Sequence, residues 1–494
     1  MVIFERYSTA GTPNLSTPQK RQKGRQAPMS PAPNHDNQKL VDRLTALVGA
    51  EIVHGDAVAL ESYSRDATPL FHGLPEVVVT PRSTQEVVEI VKFAASTKTP
   101  IIARGAGSNL CAATVPLNGG IVLSMNKMNK ILEVDRAQML AVVQPGVTNQ
   151  ILDETVAKEG LMFVPDPGSK NVSTIGGNVA TSAGGLRGLK YGTTKNYILG
   201  LEVVTGTGEI VRTGSRMVKD VAGYDLTRLF VGSEGTLGIF TEITTILNPR
   251  PRAAKYGVAY FTDLAAASNA VDQVVRAGIL PATMEFLDNS CILAVEEFAH
   301  LGLDTQAGAL LLFGDDGEPD FIDAAVDKMA QIAAEVSGSR GVTLAADTAA
   351  ADALLYARRC SLPALARLGT LSILEDISVP RPIMSDAVNR INEIGKKNQV
   401  LIGTFGHAGD GNLHPTIVVD KNDERAVHGA ETALKEIFEM ALSLGGTITG
   451  EHGVGSAKLP YLTARLGEGQ MQLQRGIKSV FDPAGILNPG RLGS

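Results

Sequence analysis

PDPGSKNVSTIGGNVATSAGG, residues 165–185, is the stretch that decides the fold of this chain. Its glycines let the backbone approach a ligand closely, and successive backbone N–H groups can form a concave anion site. Short side chains add hydrogen-bond donors, namely Ser169, Ser173, Thr174, Asn178 and Ser182. The segment therefore predicts a loop that binds a pyrophosphate mainly through its backbone.

Two further glycine-rich loops support this interpretation. RGAGSN (104–109) follows a predicted strand at 101–103, and GSEGTLGI (232–239) lies downstream. Neither GxGxxG nor GxxxxGK[ST] occurs, which argues against a Rossmann dinucleotide fold and a P-loop. One glycine-rich turn is usually only a turn, but three of them, almost without lysine, indicate a diphosphate held by backbone amides. That arrangement suits a flavin better than a hydrolysed triphosphate, which needs lysine and Mg²⁺.

The composition limits the classes of protein to consider. The 494 residues suffice for two or three domains, and a net charge of −7 gives no reason to expect nucleic-acid binding. No apolar run approaches the ~18–20 residues of a membrane span. The three cysteines, Cys111, Cys291 and Cys360, are too few and too scattered for a disulfide framework or a four-thiolate iron–sulfur cluster. We therefore expect a cytoplasmic protein.

Residues 1–38 differ in composition from the rest of the chain. They contain five prolines, many Ser, Thr and Gln residues and an excess of Lys and Arg, with no apolar helical face. This composition predicts a disordered tail; a transit peptide fits less well, and Met29 is an alternative start of the chain. Folding is expected to begin near Gln38, with a helix over 39–48.

The rest of the chain divides at PRPR, residues 249–252. Before this boundary the pattern is one of short strands and few helices, with a hairpin around the glycines at 206 and 208. After it, strands alternate with long helices, which are predicted near 318–337, 351–368, 385–398 and 424–444. This alternation predicts an antiparallel sheet backed by helices, so the predicted fold class is α+β in both parts.

Two segments near the C-terminus carry residues suited to metal chemistry. GHAGDGNLH (406–414) places His407 and His414 at the two ends of a tight turn between strands, and GTITGEHGVG (446–455) supplies Glu451 and His452. Two histidines and a carboxylate are a ligand set for Zn²⁺, although Mn²⁺ or Fe²⁺ would also suit it. His452 is expected to point away from its neighbour Glu451 and to serve as a general base. Asp410 or Asn412 could orient a metal ligand. The alternative role for His407, His414, Glu451 and His452 is ordinary hydrogen bonding in turns.

The motifs together, in order, resemble a known family. RGAGSN, the 165–185 segment, KDVAGYDL (219–226) and VGSEGTLGI (231–239) resemble the FAD domain of vanillyl-alcohol-oxidase-type flavoproteins. With GHAGDGNLH, GEHGVG and FDPAGILNPGR (481–491), the chain is similar to the glycolate oxidase and D-lactate dehydrogenase branch of the FAD-linked oxidase family. The likeness runs from about residue 40 to 492. It implies an FAD-binding domain at 39–250, an α+β cap or substrate domain at 251–440, and a segment at 441–494 that closes the active site onto the FAD domain.

The resemblance assigns cofactor residues by position. Non-covalent FAD is implied, because Ser108 stands where some relatives carry a covalently attached histidine. The residues implied to bind FAD are Arg104, Gly105, Ala106, Gly107, Ser108, Asn109, Asp166, Gly168, Ser169, Thr174, Gly176, Gly177, Asn178, Ala183, Gly184, Gly185, Glu234, Gly235 and Ile239.

The resemblance also implies an activity, the FAD-dependent oxidation of a small D-2-hydroxy acid to the 2-oxo acid. A divalent metal would assist, His452 would accept a proton, and Arg358 would bind the carboxylate, with Arg359 and Arg381 as weaker candidates. Leu374 and Thr416 replace a lysine and an asparagine of relatives that act on D-2-hydroxyglutarate, which favours glycolate or D-lactate.

The same likeness suggests partners and leaves rivals open. An iron–sulfur subunit, a quinone or a flavoprotein carrier is expected to take the electrons, and any association with a membrane would run through a partner subunit. The alternatives are an accessory flavin-binding subunit, a D-2-hydroxyglutarate dehydrogenase and a metal-dependent hydrolase. The sequence leaves the oligomeric state open.

Overall fold

A computed structural model describes residues 35–493. The predicted tail lies outside the described residues except for 35–38, which form the first turn of helix α1, His35–Val48. The helix thus begins four residues before the predicted start. Among the described residues, no helix combines the length and the apolar character that a membrane crossing requires.

A small four-stranded sheet opens the structure. Its strands are β1 Val53–His54, β2 Val77–Val79, β3 Ile101–Arg104 and β4 Ile121–Ser124, in the order β1-β2-β4-β3. Helix α2 is Ala57–Ser62, and helix α3, Thr84–Thr97, joins β2 to β3. The hydroxyl of Ser83 accepts a hydrogen bond from the Glu86 amide and caps α3. Because β3 ends at Arg104, the glycine-rich loop 104–109 begins at the carboxyl end of this strand.

An antiparallel five-stranded sheet follows. The strands of this part are β5 Ile131–Asp135, β6 Leu140–Val143, β7 Leu161–Met162, β8 Ile198–Val204, β9 Ile210–Gly214, β10 Ile239–Ile246 and β11 Asn248–Pro249. The sheet order is β5-β6-β10-β8-β9, while β7 and β11 form a separate pair. The predicted hairpin joins β8 to β9. The helices here are α4 Asn149–Ala157, α5 Ile175–Thr181, α6 Gly188–Tyr191 and α7 Leu226–Phe230.

The second half is built on one large sheet. Its strands are β12 Ala253–Phe261, β13 Thr283–Asp288, β14 Ala309–Gly317, β15 Ser339–Leu344, β16 Leu371–Leu374, β17 Ile377–Ser378, β18 Leu401–His407 and β19 Asn412–Val419. The order is β15-β12-β14-β13-β18-β19-β16, with β17 also paired to β19, and every pairing is antiparallel. The helices are α8 Leu264–Arg276, α9 Asn289–Ala299, α10 Pro319–Glu335, α11 Thr348–Arg359, α12 Ser361–Ala366, α13 Met384–Asn398 and α14 Glu424–Ser443.

Both faces of this sheet are covered by helices. In β14, Leu311 and Phe313 belong to the core under α8, α10, α13 and α14. Leu310 and Leu312 alternate with them and belong to the core under α9, α11 and α12. The antiparallel sheet backed by helices is therefore as the sequence predicts.

The predicted helix over 351–368 is wrong in one respect, because it is two helices, α11 and α12. Pro363 explains the break. It has no N–H to donate to the Arg359 carbonyl, and its ring would collide with that carbonyl in a continuous helix. The break leaves Arg358 in the last turn of α11, buried rather than on an exposed helix face.

The chain ends beside the first sheet. Helices α15 Leu459–Leu466 and α16 Glu468–Phe481 lead into a segment in which Leu487 forms a parallel bridge with Ile101 of β3. The Asn488 amide donates to the carbonyls of Ala113 and Glu234 at 3.0 and 2.7 Å. The C-terminal residues are thus hydrogen-bonded to the loops that carry the glycine-rich motifs.

Candidate active site

One cavity of about 550 Å³ lies between the glycine-rich loops and the large sheet. Its wall includes every residue predicted to bind the cofactor, from the segments 104–109, 166–185 and 234–239. It also includes Arg358, His407, His414, Glu451 and His452. Residues that are far apart in the sequence therefore share one enclosed space.

Two glycines of the glycine-rich loops, Gly105 and Gly176, have no room for a side chain. A Cβ atom on Gly105 would lie 2.2 Å from the Thr174 hydroxyl, and one on Gly176 would lie 2.5 Å from Pro145. The Thr174 hydroxyl accepts a hydrogen bond from the Gly177 amide and so fixes the start of α5. These contacts explain the glycines and leave backbone at the surface of the cavity.

Buried polar atoms in this wall fit a polar ligand. The Asn178 side-chain nitrogen, the Ser173 hydroxyl and one Asp166 carboxylate oxygen are buried and have no hydrogen-bond partner among the described residues. Leaving such atoms unpaired costs about 1–3 kcal/mol each. A flavin dinucleotide offers hydroxyl, phosphate and ring atoms to pair with them, so the donor set fits FAD.

The two histidines of GHAGDGNLH come from paired strands. In the ladder of β18 and β19, Phe405 is opposite His414 and His407 is opposite Asn412. His407 and His414 are therefore diagonal neighbours on one face, with ring centroids 5.2 Å apart. The two rings therefore converge at the end of the tight turn that joins β18 to β19.

Glu451 completes a compact ligand set. Its Oε1 lies 3.3 Å from His407 Nε2 and 3.4 Å from His414 Nε2. Two atoms bound to a tetrahedral Zn²⁺ at about 2.0–2.1 Å are about 3.3–3.4 Å apart. Two of the three ligand separations thus match a tetrahedral metal site, and all three ligand atoms lie within 4.8 Å of one another.

The charges in this cluster favour metal binding. Burial and the neighbouring histidines lower the pKa of His414 well below its ordinary value, so its ring is neutral. Burial favours the neutral form of Glu451, but the hydrogen bond and charge of His407 lower its pKa to about 2. Burial alone would lower the pKa of His407, but Glu285 and Glu451 raise it well above its ordinary value. A metal at His407 therefore displaces a proton.

Glu285 of β13 orients His407, a role that the sequence argument gave to Asp410 or Asn412. Its Oε1 lies 2.6 Å from His407 Nδ1, and the two residues are opposite each other in the ladder. The Asn412 amide instead donates to Asp376 Oδ1 at 2.6 Å. Only the pairing of β13 with β18 brings Glu285 here, and no local motif marks it.

Asp376 fixes the loop that carries Glu451 and His452. Its Oδ2 accepts hydrogen bonds from the amides of Gly450, Glu451 and His452 at 2.8, 2.9 and 2.8 Å, and from the Thr449 hydroxyl at 2.7 Å. Asp376 is fully buried. Its carboxylate thus gathers four donors from one turn.

The expected divergence of Glu451 and His452 is wrong. His452 Nε2 lies 3.8 Å from Glu451 Oε1, and its ring stacks on His414 with centroids 5.1 Å apart. The amides that bind Asp376 curl the backbone tightly enough to bring both side chains to the same side. His452 Nδ1 is buried without a hydrogen-bond partner among the described residues.

Arg358 is a buried part of the site. It is 8% exposed, and its Nε donates to Glu285 Oε2 at 2.7 Å. Its guanidinium carbon lies 4.6 Å from the centre of the Phe405 ring. Arg359 also lies on the cavity wall but is exposed, whereas Arg381 pairs with Asp272 and does not line the cavity.

Comparison with known proteins identifies the family. A model described as "FAD binding domain" matches residues 75–214, and one described as "FAD linked oxidases, C-terminal domain" matches 250–492. The glycolate oxidase subunit GlcD of Bacillus subtilis (strain 168) is 47% identical over 434 residues, which cover 87% of this chain and 91% of that protein. The chain belongs to the FAD-linked oxidases.

Two further comparisons refine this assignment. A D-lactate dehydrogenase of Anaerostipes hadrus is 34% identical over 93% of this chain and 98% of that protein. This FAD-linked oxidase therefore lies in the branch of the GlcD-type glycolate oxidases and D-lactate dehydrogenases. A crystal structure of p-cresol methylhydroxylase superimposes with a TM-score of 0.79 at 19% identity, covering 93% of this chain and 97% of that one. The fold of the vanillyl-alcohol-oxidase type is thus confirmed, and the family makes the chain an FAD-linked oxidoreductase.

Two motifs of this FAD-linked oxidase differ in their position relative to the cavity. The Glu234 carboxylate accepts hydrogen bonds from the Val454 and Gly455 amides at 2.6 and 2.7 Å, so it fastens the C-terminal loop to the cofactor cavity. In KDVAGYDL, Val221 and Tyr224 are 97% and 96% exposed, and this segment does not line the cavity.

Proposed function

We propose that this chain oxidises a small D-2-hydroxy acid, glycolate or D-lactate, to the 2-oxo acid. The observation that carries the proposal is the single cavity in which a flavin-type loop wall faces Arg358, His452 and the cluster of His407, His414 and Glu451. An alcohol oxidation next to a carboxylate needs a carboxylate-binding group, a base and a hydride acceptor. This cavity supplies a site for each of them.

Each group in the cavity has a separate chemical role in the proposed reaction. When bound, FAD supplies the hydride acceptor, and a divalent metal, for which Zn²⁺ is our choice, supplies a Lewis acid that acidifies the substrate hydroxyl. His407, His414 and Glu451 hold the metal. The two terminal nitrogens of Arg358, which have no hydrogen-bond partner among the described residues, bind the substrate carboxylate in a bidentate pair. His452 accepts the hydroxyl proton on its ring.

The substrate is expected to carry a small, uncharged group beside the hydroxyl. Leu362, Pro363, Leu374 and Phe405 line the cavity. An apolar wall penalises a second carboxylate, because a buried charge without a partner is costly. Thr416 is fully buried and lies outside the cavity wall, so Leu374 is the substitution that supports a monocarboxylate. The names of the relatives, a glycolate oxidase subunit and a D-lactate dehydrogenase, agree with this choice.

Electrons must leave the reduced flavin through a partner. The cysteines of the chain are scattered, free and buried, so this chain does not offer the ligands of an iron–sulfur cluster. Its relative in Bacillus subtilis is named a subunit. We therefore place this chain in a complex or beside a carrier, with an iron–sulfur subunit, a quinone or a flavoprotein as acceptor and with any membrane contact made by the partner.

An anaerobic titration tests the reaction directly. The visible spectrum of purified protein with FAD is recorded while D-lactate, glycolate, L-lactate and D-2-hydroxyglutarate are added in separate runs. We expect D-lactate or glycolate to bleach the flavin bands and the other two acids to leave them unchanged. Flavin bands that persist with all four acids would reject the activity in favour of an accessory subunit. Bleaching by D-2-hydroxyglutarate alone would reject the substrate class.

The carboxylate role of Arg358 has a matched control. Arg358→Lys keeps the charge but loses the planar fork, so KM for the bleaching acid should rise about tenfold or more. Arg381→Lys changes an arginine that pairs with Asp272 outside the cavity, and its KM should match the wild type. Equal KM values for wild type and Arg358→Lys, measured by steady-state kinetics with an artificial acceptor, would remove Arg358 from substrate binding.

A further inference from the structure

Glu285 is hydrogen-bonded both to a proposed metal ligand, His407, and to the proposed carboxylate-binding residue, Arg358, but has neither role itself. It is fully buried on β13. Its Oε1 lies 2.6 Å from His407 Nδ1, and its Oε2 accepts from Arg358 Nε at 2.7 Å. One carboxylate therefore joins a proposed metal ligand to the proposed substrate clamp.

We propose that Glu285 is a positioning residue shared by the metal site and the carboxylate clamp. A carboxylate can only accept hydrogen bonds, so the bond with His407 requires the proton to be on Nδ1. Nε2 is then the nitrogen that gives up its proton to bind a metal, and it is the atom that lies 3.3 Å from Glu451 Oε1. The inference rests on the proposed metal site.

The other oxygen of Glu285 has a separate effect on Arg358. Because Nε is engaged by Glu285, the guanidinium is held with its remaining two nitrogens free for a ligand. The Phe405 ring packs against the Arg358 guanidinium and limits its movement on that side. Metal affinity and substrate affinity therefore depend on the same buried carboxylate.

Glutamine at this position creates a conflict that can be measured. Its amide has one acceptor oxygen and one donor nitrogen, whereas both neighbours need an acceptor. Arg358 is permanently charged and attracts the amide oxygen more strongly than the neutral, metal-binding form of His407 does. The amide nitrogen of the glutamine then faces His407 Nδ1, which moves the imidazole proton to Nε2 and blocks metal binding there.

The test measures affinity for Zn²⁺ rather than turnover. Full-length protein with FAD is stripped of metal, and Zn²⁺ is titrated in competition with a chelating dye. Glu285→Gln should bind Zn²⁺ about ten- to hundredfold more weakly than wild type, the usual effect of losing the group that orients a metal-binding histidine. Glu202→Gln is the matched control: Glu202 is a buried glutamate in β8 that accepts from Arg212 and Thr84, far from the site in the chain. It should bind Zn²⁺ like wild type.

A rescue distinguishes positioning from general structural damage. In Glu285→Gln/Arg358→Met the amide no longer faces a second donor, so its oxygen can turn to His407 Nδ1. Affinity for Zn²⁺ should return to within about threefold of Arg358→Met alone, although substrate binding stays lost. This comparison also holds if Glu285→Gln by itself cannot be purified.

The outcomes separate the two proposals. Wild-type protein that binds no Zn²⁺ would overturn the metal site, and this inference with it. Wild type and Glu285→Gln binding Zn²⁺ equally well would overturn the positioning role alone. A double variant at least tenfold weaker than Arg358→Met would do the same, because relief of the donor conflict would then have no effect.

Discussion

At the scale of a single residue, Gly184 lies where the loop expected to bind FAD meets the proposed metal ligand Glu451. A Cβ atom at this position would lie 2.5 Å from Glu451 Oε2, and no positive φ is involved. The backbone would therefore accept alanine, and only the carboxylate would have to move. Glycine here is explained by the close approach of Glu451 rather than by the shape of the loop.

We expect Gly184→Ala to fold and to bind Zn²⁺ at least tenfold more weakly, because the displaced carboxylate leaves the ligand geometry. The change in affinity is measured by competition with a chelating dye. Gly476→Ala is the control, since a Cβ atom there meets nothing within 4 Å and alanine favours helix α16. Unchanged affinity in Gly184→Ala would show that Glu451 does not bind the metal in the position described.

The turn at 449–452 is the element that carries the proposed metal ligand Glu451 and the proposed base His452. It has no regular secondary structure of its own to hold it, and its backbone amides converge on Asp376 instead. Burial alone would raise the pKa of Asp376, but His452, Lys458 and the hydrogen bond from the Asn412 side chain lower it well below its ordinary value. The carboxylate is thus ionised and available to the whole turn.

We expect Asp376→Asn to lower the free energy of unfolding by about 2–4 kcal/mol, since one charged acceptor of several buried donors is lost. Turnover should fall by more than the stability change explains, because Glu451 and His452 both lose their support. Denaturant unfolding and steady-state kinetics measure the two effects. Asp263→Asn, at the N-cap of α8, should change neither, because asparagine caps equally well. Wild-type turnover in Asp376→Asn would contradict this account.

At the scale of the whole molecule, ionic contacts join the two halves of the chain. The Lys190 ammonium in α6 lies 2.7 Å from Asp315 and 2.8 Å from Asp316 of β14, and the Tyr191 hydroxyl donates to Asp316 at 2.6 Å. The Lys190 side chain is 24% exposed and that of Asp316 only 6%. These contacts fasten the flavin-binding part to the large sheet near the cavity.

We expect Lys190→Met to lower the free energy of unfolding by about 2–3 kcal/mol, because it leaves two mostly buried carboxylates without their cation. Lys255→Met is a close control. Lys255 also bridges two carboxylates, Asp323 and Asp327, but both are more than half exposed, so its loss should cost less than about 1 kcal/mol. Denaturant unfolding measures both values. Equal losses in the two variants would show that the contact between the halves adds no special stability.

The sequence by itself determined the family, the sheet types and most of the residues that line the cavity. Glycine spacing and strand periodicity are local properties, so the loops at 104–109, 165–185 and 232–239 could be found without coordinates. The pair His407 and His414 could be found for the same reason, because a turn of fixed length joins their strands. The helix break at Pro363 is also a local effect. It could have been predicted from the sequence, but the apolar pattern of 351–368 favoured one continuous helix.

Only the tertiary structure decided how the site is supported. Glu285 reaches His407 through strand pairing, Asp376 reaches the 449–452 turn across the sheet, and Glu234 reaches Val454 from the other half of the chain. No local pattern shows which groups these carboxylates bind, since the partners named here lie 73 to 220 positions away along the chain. The sequence supplies the chemical groups, while long-range packing fixes which of them meet, because hydrogen bonds between distant segments depend on the assembled fold rather than on spacing along the chain.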